Sequence, residues 1–147
     1  MASWDDVRRA AGALPEVRER AGRAGAEWRV RGRLFAWERP LRRPDRAHLG
    51  DAVPEGPILA VHVPDLTAKE GLVEEPGACF TTPHFDGHPI ALVRLGRASP
   101  AVVEELVAGA WLARAPKRLA AAYLDGPGQP PAPSSASSAR FMSAPPP

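Results

Sequence analysis

Thr81–Leu95, TTPHFDGHPIALVRL, carries the pattern that decides the fold. Phe85-Asp86-Gly87-His88 has turn chemistry: the aspartate accepts backbone hydrogen bonds and the glycine supplies a positive φ. Ile90 to Leu95 then alternates as a strand does. Ala91, Val93 and Leu95 fall on one face, and Ile90, Leu92 and Arg94 on the other. Pro83 and Pro89 bracket the turn, which suits the ends of two antiparallel strands. A strand this apolar belongs inside a sheet with helices over one face.

Outward from that stretch, the same reasoning assigns the rest. Cys79 to Thr82 reads as the strand before the turn. Ser99 caps the following helix, Pro100 takes its first position, and Val103, Leu106, Val107, Ala110 and Trp111 form its buried stripe. Pro116 starts a last helical piece with Lys117, Arg118, Leu119 and Tyr123. Upstream, Thr67 and Glu70 have capping-box spacing for a short helix from about Ala68 to Glu74, and Ile58 to Val63 reads as a strand. Leu59, Val61 and Val63 share one side of it, and His62 takes the other.

Ala26 to Trp37, AEWRVRGRLFAW, reads as a β-hairpin with Gly32 at the tight turn. The loop after it, Glu38 to Pro57, holds Arg39, Arg42, Arg43 and Arg46, with a short helix expected over Pro44 to Leu49 and stopped by Gly50. At the start, Ser3 and Asp6 are placed to cap a helix whose stripe is Trp4, Val7, Ala10, Ala11 and Leu14, and Pro15 ends it. Glu16 to Gly25 fits either a frayed helical turn or a short edge strand. The expected order is helix, three strands, helix, two strands, helix. That is a two-layer α+β domain over 1–125, with an antiparallel sheet of about five strands and helices on one face. From Gly126 the chain holds seven prolines in 22 residues, with Ser, Ala and Gly, and is expected to be a disordered tail.

Composition bounds the function. The chain has 147 residues, 44% hydrophobic and 24% charged, which is one soluble globular domain at most. MASWDDVRRAAG carries two acids and no apolar run, so neither a signal peptide nor a membrane anchor is expected there, and a cytoplasmic location fits. One cysteine forms no internal disulfide and frames no zinc site by itself. The net charge of +2 hides an asymmetry. Residues 1–46 hold 12 Arg against 7 acids, and residues 47–125 hold 6 basic against 10 acidic residues. A basic face suits an anionic partner. Only Lys69 and Lys117 are lysines, a bias that a GC-rich genome also produces without functional cause.

Four stretches in this order resemble the MmcQ/YjbR family: WDDVRRAAGALPEV, WRVRGRLFAW, TTPHFDGHPIALVRL and WLARAPKRLAAAYL. The resemblance runs from Trp4 to Tyr123. It implies a YjbR-like fold, grouped with secretion chaperones and described as a double wing, and it implies DNA binding. The residues fit that expectation. A hairpin bearing Arg29, Arg31 and Arg33 can lie along a groove, and Arg39, Arg42, Arg43 and Arg46 beside it can meet phosphates. Lys117 and Arg118 open a helix against its dipole, as a contact with something anionic would require. The bland alternative is that these arginines keep a solvated edge from pairing with another sheet.

Other constellations are weaker. His84, Asp86 and His88 have H-x-D-x-H spacing, but Gly87 and Pro89 make the stretch a turn, so no metal is expected. Cys79 sits in an apolar strand and reads as a small hydrophobe. A Cys79–His84 nucleophilic pair has no third member or oxyanion loop. Trp28, Phe35 and Trp37 have the chemistry to stack on bases, yet the alternation of Trp28 with Val30 favours the core. No phosphate loop, dinucleotide fingerprint or paired carboxylates are present, so neither an enzyme nor a cofactor is expected. Two classes stay open: a DNA-binding domain of low sequence specificity, and a protein-interaction or chaperone-like module that engages a protein partner through the sheet or its edge.

Overall fold

The computed structural model describes residues 1–50, 56–74 and 77–125, and the expected tail over 126–147 lies outside them. Two compact units divide the chain, Met1–Arg114 and Ala115–Pro147. The first is an α+β domain built on an antiparallel sheet of six strands. It begins with helix α1 (Trp4–Gly12), where the Asp6 carboxylate accepts the backbone N–H of Ser3 at 2.8 Å. Val7, Ala10 and Ala11 are its buried stripe.

Strands β1 (Val17–Ala21), β2 (Ala26–Val30) and β3 (Arg33–Glu38) follow as a meander. β1 resolves the ambiguous stretch in favour of an edge strand, and it is the strand beyond the expected five. The β2–β3 connection is a two-residue loop, Arg31-Gly32, with φ of +49° and +81°. Positive φ at both positions is the primed hairpin turn whose twist matches the strands. Next come helix α2 (Arg43–Leu49), strand β4 (Ile58–His62) and helix α3 (Leu66–Glu74). α3 starts earlier than the Thr67–Glu70 spacing suggests, because Asp65 Oδ1 caps it by accepting the Ala68 N–H at 2.8 Å.

The two-residue strand β5 (Cys79–Phe80) leads into a 3-10 turn over Pro83–Phe85. Asp86 at φ −59°, ψ 132° and Gly87 at φ +77° then make a type II turn, closed by the His88 N–H donating to Phe85 O at 3.0 Å. Strand β6 (Ile90–Arg94) lies between β4 and β5, inside the sheet as its apolar pattern requires. Helix α4 (Pro100–Arg114) ends the first unit. Helix α5 (Lys117–Asp125) belongs to the second.

The strand order is β1-β2-β3-β4-β6-β5. Its register lays out two rows of directly opposed residues. One row runs Glu19, Trp28, Ala36, Val61 and Ala91. From Trp28 onward it is fully buried, with Trp4 of α1 stacked on Trp28 at 6.3 Å and α4 packed on β3 and β4. The other row, on the opposite face, runs Arg20, Glu27, Trp37, Ala60, Leu92 and Phe80. It begins charged and ends apolar. Only the apolar end forms a second core, where Leu41 and Leu49 join Ile58, Ala60, Phe85 and Leu92. That packing fixes α2 over the same face that carries Arg20.

Candidate functional site

The arginines expected to meet phosphates divide into two groups. Arg29 is half-buried, donating to Glu27 Oε1 and to Gly32 O, each at 3.0 Å. Arg31 grips Glu16 with two hydrogen bonds, 2.6 and 3.1 Å long. This pair holds the Glu16 carboxyl below its ordinary pKa. Arg33 is exposed and donates to Arg114 O at 3.3 Å, satisfying a carbonyl at the end of α4. Arg29 thus braces the hairpin itself, Arg31 ties its turn to Glu16, and Arg33 alone of the three reaches α4.

Arg39 departs furthest from expectation. It is 4% exposed, its Nη2 lies 3.2 Å from Asp45 Oδ2, and its guanidinium sits 5.2 Å from the centre of the Phe85 ring. A buried guanidinium held by a carboxylate offers nothing to a phosphate, so Arg39 is a structural residue. Burial works to raise the Asp45 pKa, but the Arg42 N–H and the Arg39 charge outweigh it and hold the carboxyl below its usual value.

Arg42, Arg43 and Arg46 are exposed and in no ion pair among the described residues. Arg18 and Arg20 of β1, absent from the sequence-based set, are likewise exposed and without an ion pair among those residues. Arg18 opposes Arg29 and Arg20 opposes Glu27, so both point to the face that α2 covers. Arg18 and Arg20 thus sit at the β1 edge of the face whose apolar end packs against Leu49 of α2, and Arg42, Arg43 and Arg46 are exposed at the start of and along α2. The signal that would have found Arg18 and Arg20 is the alternation Val17-Arg18-Glu19-Arg20-Ala21 ahead of the Gly22–Gly25 turn.

Lys117 and Arg118 are exposed at the start of α5 and are described within the second unit alone. His84, Asp86 and His88 lie in and beside the type II turn, exposed, with His84 edge-on to Phe85. No group of three His, Cys, Asp or Glu among the described residues could hold a metal ion. Cys79 is half-buried, and burial raises its pKa.

Comparison with known proteins then supplies kinship. Over 132 aligned residues the chain is 48% identical to the uncharacterized protein Rv2570 of Mycobacterium tuberculosis, covering 87% of this chain and all of that relative. The uncharacterized protein Mb2600 of Mycobacterium bovis matches with the same identity and coverage. The chain belongs to their family. No family model and no solved structure matches it.

Two further side chains of this family member, Lys69 and His62, take roles that no local sequence pattern signals. Lys69 of α3 is buried, and its ammonium donates to Phe85 O and, at 2.9 Å, to His88 O. It thereby ties the type II turn to α3, and burial lowers its pKa against the pull of Asp86. His62 leans on Trp37, ring centres 5.6 Å apart. Its burial and the nearby Arg114 charge push its pKa down to about 4, so it is neutral at pH 7. Among the described residues, no helix is long and apolar enough to cross a membrane.

Proposed function

We propose that this chain is a non-catalytic DNA-binding protein of MmcQ/YjbR type that contacts the phosphate backbone with low sequence specificity. The observation that carries the reading is the set Arg18, Arg20, Arg42, Arg43 and Arg46, all exposed and in no ion pair among the described residues. Phosphate contacts need mobile, uncommitted cations, and guanidiniums meet phosphate oxygens bidentately. The resemblance of the four sequence stretches to MmcQ/YjbR proteins supports the same partner. Arg29 and Arg31 stand in a supporting role, since each is held in an ion pair within the protein, and Arg33 gives one donor to the end of α4.

Duplex binding followed by fluorescence anisotropy tests this division. Arg42→Ala, Arg43→Ala and Arg46→Ala combined should weaken random-sequence duplexes by about tenfold or more at low salt. All sequences should suffer equally, because backbone contacts carry no sequence information. The corresponding Arg29, Arg31 and Arg33 triple variant should lose stability before it loses affinity. An α2 triple variant that binds as well as the parent protein would overturn the reading.

A further inference from the structure

We infer that the free edge of β1 is a docking site for an extended acidic segment of a partner protein, which adds to the sheet as a seventh strand. The backbone pattern shows which groups are available. Gly22 N–H donates to Gly25 O at 2.7 Å, and the register continues as Arg20 opposite Glu27 and Arg18 opposite Arg29. Hydrogen-bonded pairs alternate along an antiparallel ladder, so Arg18 and Arg20 spend their backbone groups on β2. The N–H and C=O groups of Val17, Glu19 and Ala21 therefore point outward. Among the described residues no strand lies beyond β1, and four of its five residues are exposed. The opposite edge, β5, is only two residues long.

The side chains select what joins. A strand bonded to Val17, Glu19 and Ala21 meets Arg18 and Arg20 at the non-bonded positions, where opposed side chains come closest. Residues opposite these two lie on the same face, two apart, and acidic residues there pair with both guanidiniums. Glu19 on the other face makes no such demand, because Trp28 Nε1 and Arg8 Nε already donate to it at 3.0 and 3.1 Å.

The same charges reject the alternatives. A second copy pairing about Glu19 places Arg18 opposite Arg20 and Glu19 opposite Glu19, and like charges directly opposed destabilise a sheet. The chain's own residues 126–147 contain Arg140 and no acid, so they lack the charge that Arg18 and Arg20 select. An acidic strand from another protein remains.

The test uses the full chain and a short synthetic peptide, acetylated and amidated, in which valine and glutamate alternate strictly. Binding is read by anisotropy of a label on the peptide. The protein should bind this peptide, and a version with lysine for glutamate should not bind. Ala21→Pro removes an outward N–H without costing a bond to β2, and should weaken the peptide about tenfold while leaving duplex DNA binding unchanged. Should circular dichroism show that variant unfolded, peptides N-methylated on the edge-facing residues serve instead, and they should fail to bind the unmodified protein. An Ala21→Pro protein, or an N-methylated peptide, that binds as tightly as the unmodified pair would show attraction by charge alone and overturn strand addition. Absence of any peptide binding would overturn it equally, with the DNA reading untouched.

Discussion

Arg39 Nη2 and Asp45 Oδ2 lie 3.2 Å apart, with 5% and 3% of their side chains exposed. The pair joins the loop after β3 to α2, and the Arg39 guanidinium also covers the Phe85 ring. Taking one member away leaves an uncompensated buried charge, which costs far more than a surface ion pair is worth. Arg39→Ala is expected to lower the unfolding free energy by about 3 kcal/mol, read from urea denaturation. Arg39→Lys should recover only part of that, since a lysine cannot reproduce the planar contact with Phe85.

His62 gives a pH dependence with a definite sign. Its folded pKa of about 4 lies below the ordinary 6.5, so the unfolded chain takes up the proton first. Its contribution is fully present above pH 6.5 and is lost as pH falls toward 4. The ring is partly solvated, so the loss is about 1 kcal/mol rather than the full linkage value. Urea midpoints at pH 7 and pH 5 should differ in the parent protein, and His62→Gln should reduce the difference. Asp45, depressed below its ordinary value, loses its contribution only at more acidic pH and leaves this window clear.

Gly109 sits inside α4, and a Cβ built there meets nothing within 4 Å. Glycine in a helix interior is less favourable than alanine by roughly 0.5–1 kcal/mol. Gly109→Ala should therefore raise the melting temperature, by about 2–4 °C for a gain of that size. An unchanged or lowered melting temperature would mean that the α4 surface packs more tightly there than the geometry allows.

How much of this was legible beforehand follows from what each residue has to do. The Thr81–Leu95 stretch told the truth about β6 because burial on both faces of an inner strand imposes an unbroken apolar run, here Ile90 to Val93. The Ser3–Asp6 cap and the Gly32 turn were legible because capping and positive φ demand particular side chains. β1 was ambiguous for the converse reason: an edge strand with four exposed residues carries almost no core signal. Arg39 looked like its neighbours Arg42 and Arg43, since an arginine among prolines reads the same whether it meets solvent or a buried aspartate. Its partner Asp45 is six residues away, across a loop and into a helix, and no local periodicity connects the two. Lys69 was hidden in the same way, its acceptors being backbone carbonyls of a turn beyond β5.

The central claim is that the exposed arginines bind DNA through its phosphates, and its most direct test is the salt dependence of affinity for a random duplex. Contacts by three or four of Arg18, Arg20, Arg42, Arg43 and Arg46 predict a log–log slope of about −3 to −4. Changing Arg42, Arg43 and Arg46 to Ala should bring the slope close to about −1. A slope near zero, or no binding at about 50 mM salt where such contacts are strongest, would contradict the claim.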